Sequence, residues 1–189
     1  MKRIRRFLRR FLSRFKRPAR KYPAPKPKYL PKFDDRTEKN LATLLPEVQD
    51  DFRHLMKIAK DIGTRYGVDI KMISGTRTWE EQDELYAIGR TKQKDRSPVT
   101  KVKGGYSRHN HKIAGDLGTF RDEKYLDAAD RKFTTKIYKS IWNVAEADAL
   151  KIIWGGNWKR FPDPPHFEYD CGKSMAQIRD LTKKGEPIV

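Results

Sequence analysis

Residues 104–120 read GGYSRHNHKIAGDLGTF, and this run decides the fold. The paired glycines mark a turn, a polar loop then carries His109 and His111, and residues 113–120 read as a short buried strand. Working outward, VDIKMISG at 68–75 is a strand of β-branched and apolar residues ending at Gly75. LKIIWGG at 150–156 and HFEY at 166–169 supply the second and third strands of the sheet that begins at 113.

Helices fill the intervals. Leu41, Leu44, Leu45, Val48, Phe52, Leu55, Met56 and Ile58 recur at mostly helical spacing, and Pro46 divides a short helix from a longer one reaching about Tyr66. TWEEQDELYAIGR, residues 78–90, opens on a capping threonine with Glu81 three positions later and stops at Gly89. A helix over 134–148 buries Ile137, Ile141, Trp142, Val144 and Ala145, and another over 174–183 closes the chain. Residues 91–103 are a polar connection. The expected body is therefore an α+β domain over residues 34–189, a small antiparallel sheet flanked by helices.

Charge separates the body from what precedes it. Residues 1–33 hold 14 Lys or Arg and no acidic residue, which leaves 29 basic against 25 acidic residues for the rest. Within 1–17, Ile4, Phe7, Leu8, Phe11, Leu12 and Phe15 form one apolar stripe on a helix, with Arg3, Arg6, Arg10, Arg14 and Arg17 on other faces. That composition suits an interfacial helix on an anionic membrane or envelope surface; the competing reading is a disordered basic arm that binds any polyanion. Residues 18–33 carry Pro18, Pro23, Pro25, Pro27 and Pro31, the composition of a stiff, extended linker.

The lone Cys171 forms no intrachain disulfide, so folding does not require an oxidising compartment. No apolar run is long enough to span a membrane, and arginines interrupt the place where a secretory signal needs its apolar stretch. The expectation is synthesis in the cytoplasm without a clear Sec signal.

Two stretches concentrate chemistry. SRHNHKIAGD at 107–116 and DPPHFE at 163–168 hold three of the four histidines, each with a carboxylate close by. Imidazole nitrogen and carboxylate oxygen are the donors from which a catalytic zinc site takes three ligands, leaving a fourth position for water. His109 and Asp116 are seven apart, which on one continuous strand sends them to opposite faces, so a shared ion needs a bend between them. His109 and His111, two apart, are the competing same-face pair. Arg77 sits between a strand end and a helix start, where a pairing with Glu80 or Glu81 is the plain alternative to a functional role. His54, alone on a helix, reads as structural or solvent-facing.

The run Ser107-x-His109-x-x-x-x-Ala114-x-Asp116 resembles the S-x-H-x-x-G-x-A-x-D motif of the zinc peptidases that include D-Ala-D-Ala carboxypeptidases and dipeptidases and phage L-alanyl-D-glutamate endolysins. The similarity continues in order through SGTRTWEEQDELYAIGR, KGGYSRHN and WGGNWKRFPDPPHFE, and its GGYS, WGG-x-W and PHFE elements place it nearest the endolysin-like branch. The resemblance implies a Hedgehog/D-Ala-D-Ala peptidase-like fold, Zn2+ held by His109, Asp116 and His166, a catalytic carboxylate at Asp163, and an oxyanion-steadying arginine at Arg77. Ser107 becomes a substrate contact or a support for the ligands. Glu168 is the rival base, or else the group that orients His166.

Two positions depart from the pattern. Lys112 stands where the motif has glycine, with Gly115 a candidate to supply the lost backbone freedom, and Asn157 stands where aspartate is usual. The implied activity is hydrolysis of the peptidoglycan stem peptide at the L-Ala-D-Glu bond by a monomeric lytic enzyme acting on the cell wall. A D-Ala-D-Ala carboxypeptidase is the first alternative. A non-catalytic membrane-binding or antimicrobial protein with a decayed site is the second, and nucleic-acid binding leaves the ordered histidines without a purpose.

Overall fold

A computed structural model describes residues 32–189. The basic helix expected over 1–17 and nearly all of the linker expected over 18–33 lie outside the described residues. Helix α1 (Asp35–Ala42) starts at Asp34, whose carboxylate accepts hydrogen bonds from the Thr37 amide (3.0 Å) and hydroxyl (2.7 Å). Helix α2 (Pro46–Tyr66) carries proline at its first position, where no amide hydrogen is needed, and ends at Gly67, whose φ of 64° closes the last turn. Helix α3 (Trp79–Ala87) has the full capping box, Thr78 and Glu81 each holding the other's amide. Helix α4 (Arg131–Ala147) begins three residues before the expected start because Asp130 caps it, and α5 (Met175–Lys184) is capped by Ser174 and Gln177.

The strands are β1 (Asp69–Ser74), β2 (Ala114–Arg121), β3 (Lys124–Tyr125), β4 (Ile152–Trp154) and β5 (His166–Tyr169). All pair antiparallel in the order β1-β2-β5-β4, with β3 a hairpin return on β2 that has no signal in the sequence pattern. The strand expected across 150–156 is shorter than that, because residues Gly155–Asn157 turn into a 3-10 helix.

Alternation along the strands sorts the two faces. Ile70, Met72, Leu117 and Phe167 enter the core with Phe52, Met56, Ile137 and Ile141 from α2 and α4. Residues directly opposite in an antiparallel pair share a face, so the register Asp116 opposite His166 and Ala114 opposite Glu168 lines up three polar side chains on the side away from those helices. No helix among the described residues is long and apolar enough to cross a membrane.

Candidate metal centre

His109 lies on a 3-10 turn, Arg108–His111, that precedes β2. Ser107 caps this turn: its hydroxyl accepts from the His109 amide (3.4 Å), while Asn110 reaches back to the Ser107 amide (3.3 Å). Lys112 follows with φ 62°, the left-handed conformation that glycine adopts most easily. This is the bend that brings His109 back over Asp116. Gly115 does not supply the freedom expected of it, because its φ is not positive. A Cβ there would lie 2.2 Å from Met72 Cε, so what that glycine provides is close packing of β2 on the core.

His109 Nε2, Asp116 Oδ1 and His166 Nδ1 form a triangle of 3.2, 3.2 and 3.1 Å sides. The outer edge of each ring is fixed by an acceptor. His109 Nδ1 meets the Gly75 carbonyl at 2.6 Å, and His166 Nε2 meets Glu168 Oε2 at 3.1 Å. Each of those nitrogens must carry the hydrogen, so the inward nitrogens present lone pairs toward the carboxylate oxygen. Three such atoms this close are stabilised by a cation among them, a proton on an imidazole or a metal ion. Ligands about 2.0–2.1 Å from a tetrahedral ion stand about 3.3–3.4 Å apart, within a few tenths of the edges found here. Among the described residues, His109, Asp116 and His166 are the group of ligating side chains that could hold a metal ion.

The electrostatics agree. Burial opposes charge on Asp116, but His109 and His166 outweigh it and hold the carboxyl well below the usual range. Burial would likewise lower His166, yet Asp116 and Glu168 together push it up to about 9. The field that favours a proton on His166 favours any cation at the same point.

The other expected residues fall around this triangle. Arg77 pairs through Nη2 with Asp116 Oδ2 and with Ser74 Oγ (3.1 Å), not with Glu80 or Glu81. Glu168 is fully engaged, Oε2 on His166 and Oε1 on Arg108 Nε at 3.1 Å. The Asp163 carboxylate makes no hydrogen bond or ion pair among the described residues and lines the same cavity of about 610 Å³. Burial, with repulsion from Asp116, raises it above the ordinary carboxylate value against the pull of His166, His109 and Arg77. Asn157 is exposed, in the 3-10 turn that follows β4. His111 is not a partner of His109: it is buried, with Nδ1 at 2.8 Å from Thr182 Oγ1 and Nε2 at 3.1 Å from the Gly105 carbonyl, where it ties the turn to α5. His54 is also remote, its Nε2 3.5 Å from Asp148.

Sequence reasoning missed two supports. Trp158 packs its ring 5.0 Å from the His166 ring and walls the cavity; the WGG-x-W element contained it. Gly155 lets the Asp163 loop approach, since a Cβ there would meet the Asp163 carbonyl at 2.8 Å and His166 Cβ at 3.0 Å.

Comparison with known proteins adds the lineage. The chain is 39% identical over 104 residues to the peptidoglycan L-alanyl-D-glutamate endopeptidase CwlK of Bacillus subtilis (strain 168), a span of 54% of this chain and 61% of that relative. Among solved structures it is similar to the L-Ala D-Glu endopeptidase ChiX of Serratia marcescens, with a TM-score of 0.48 and 22% identity over 77% of this chain and 95% of the other. It is also similar to the vancomycin resistance D,D-pentapeptidase VanY in complex with Zn(II), with a TM-score of 0.42 and 16% identity over 77% and 81% of the two chains. Residues 100–169, which contain all three side chains of the triangle and end with β5, match the family model described as D-alanyl-D-alanine carboxypeptidase. The stretch that holds the triangle is thus similar to the M15 peptidase family.

Proposed function

We propose that this chain is a zinc-dependent peptidoglycan peptidase that hydrolyses the L-Ala-D-Glu bond of the stem peptide. The observation that carries the reading is the convergence of His109 Nε2, His166 Nδ1 and Asp116 Oδ1, three acceptors 3.1–3.2 Å apart with their tautomers fixed from behind. The 39% identity to an L-alanyl-D-glutamate endopeptidase supports the choice of bond.

His109, Asp116 and His166 would hold the zinc, which would supply Lewis acidity and make water a nucleophile at neutral pH. Asp163 is the carboxylate on the cavity wall with no competing hydrogen bond, and it takes the proton of the attacking water and delivers it to the leaving amine nitrogen. Glu168, with one oxygen on His166 and the other on Arg108, holds the His166 ring in this reading. Arg77, on the same wall, steadies the negative charge that develops on the scissile carbonyl oxygen. Ser107 fixes the turn that presents His109.

Residues 1–17 are proposed to carry the enzyme to an anionic envelope surface as an amphipathic helix, with 18–33 as the spacer and 34–189 as the catalytic domain. Circular dichroism of the full chain with anionic and with zwitterionic vesicles tests this: helix content rises on the anionic lipid alone. No gain there refutes the arm's role.

The family model's own description favours a second reading, release of terminal D-Ala. Digestion of purified peptidoglycan, with and without chelator, decides between them. New N-terminal D-Glu that disappears with chelator is the expected product; released D-Ala selects the alternative. A chain that holds no tightly bound zinc and releases nothing is the non-catalytic protein.

A further inference from the structure

The cavity beside the triangle has a cationic residue that the proposed chemistry does not use. Arg77 is paired with Asp116, and Arg108 with Glu168 and with the carbonyls of Tyr169 (3.4 Å) and Lys173 (3.1 Å). Lys101 lines the same cavity, is exposed, and has no carboxylate partner among the described residues. Its ammonium stands 4.6 Å from the centroid of the Phe161 ring, on the loop that carries Asp163.

The loop bearing Lys101 is held from below. The buried Gln82 donates from Nε2 to Thr100 Oγ1 (3.2 Å) and to the Val102 carbonyl (3.0 Å), and Arg90 donates to the Thr100 carbonyl (3.0 Å). Both neighbours of Lys101 are thus tied to α3 or its end, so the backbone that carries it on the cavity wall is held in place. Val102 and Phe161, both exposed and both on the cavity wall, flank it with apolar surface that lowers the local dielectric and strengthens an ion pair formed there.

We infer that Lys101 is a specificity-determining residue that binds the free α-carboxylate of the D-Glu on the leaving side of the scissile bond. This rests on the proposed L-Ala-D-Glu cleavage. That bond lies next to a residue linked onward through its side chain, so its α-carboxylate is a full negative charge close to the reacting carbonyl. A cation placed on the cavity wall gives an enzyme a means of selecting that charge. Lys101 is the cavity-lining cation whose carboxylate partner is still to be supplied.

The test compares stem peptides carrying either free D-Glu or its α-amide at this position, cleaved by the wild-type protein, Lys101→Gln and Lys101→Arg. The wild type is expected to prefer the free acid by about tenfold in kcat/KM, mostly through KM, with the preference shrinking as salt is raised. Lys101→Gln brings the ratio of acid to amide close to one, and Lys101→Arg keeps most of it. A wild type that cleaves both equally, or a Lys101→Gln variant that keeps the full preference, overturns the inference while the cleavage reading stands. Cleavage of neither peptide, with D-Ala released instead, removes the cleavage reading itself. Calorimetric titration of the two corresponding tripeptide products into wild type and Lys101→Gln gives a second readout independent of turnover: equal affinity of the wild type for acid and amide also overturns the assignment.

Discussion

Two carboxylates stand beside the triangle in different surroundings, and the proposed parts for them can be told apart. Glu168 is bound on both oxygens, whereas Asp163 faces the cavity without a hydrogen-bond partner and is raised by burial. Asp163→Ala is therefore expected to retain zinc, measured by metal analysis after dialysis, while peptide release falls by about 10³-fold. Glu168→Gln has the contrasting signature: it loosens the His166 ring and weakens zinc affinity by about 10–100-fold in competition with a chelator. A zinc-loaded Asp163→Ala protein with full turnover would return the base assignment to Glu168. Lys112 gives a third test at this scale. It holds φ 62° at an exposed position where the family motif has glycine, and a non-glycine residue in the left-handed region costs about 1 kcal/mol. Lys112→Gly should raise the melting temperature without moving the zinc content.

At the level of elements, the two N-terminal helices are fastened by one bidentate pair. Arg53 of α2 donates to both oxygens of Glu38 on α1, at 3.0 and 2.6 Å, and the Phe33 amide donates to the same carboxylate at 2.9 Å. Hydrogen bonds from Arg53 lead the forces that lower the Glu38 pKa. A depressed folded-state pKa contributes stability that is present above the unfolded value and lost as pH falls through the folded one. Glu38→Gln should therefore cost about 1 kcal/mol at pH 7 by denaturant unfolding, with the gap to wild type closing between about pH 5 and pH 3. An unchanged gap at pH 3 would show that the pair is not the source of the difference. Legibility at this scale follows locality. The start of α3 was readable because Thr78 and Glu81 act across three residues. The β3 return was not, since a two-residue strand is defined only by its partner on β2.

Across the whole molecule, the triangle joins the turn before β2, β2 itself and β5, segments up to 57 residues apart in the chain. An ion bound there cross-links the sheet to the turn in the folded state alone. Removing it with a chelator should lower the melting temperature by roughly 5–10 °C, from about 2–3 kcal/mol of lost ligand binding. The far-UV circular dichroism should persist at 25 °C, because the core of α2, α4 and the sheet does not depend on the ion. Collapse of that signal on chelation would instead mark the metal as essential to the fold.

The sequence alone determined the helices, through caps and 3.6-residue periodicity that act within a few neighbours, and it determined the donor chemistry, since His109, Asp116, His166 and Asp163 are named by motif. The motif named His109 over His111 as the ligand, but the means of separating them and the place of His111 were beyond the sequence. The left-handed turn at Lys112 and the register of Asp116 opposite His166 send His109 to the cluster and leave His111 at Thr182. The same holds for charge. Arg77, Arg108 and Lys101 are three cations in the sequence, and it takes the packed structure to bring all three to one cavity, the first two paired with Asp116 and Glu168. Pairing is a matter of distance in space, which chain neighbours do not set.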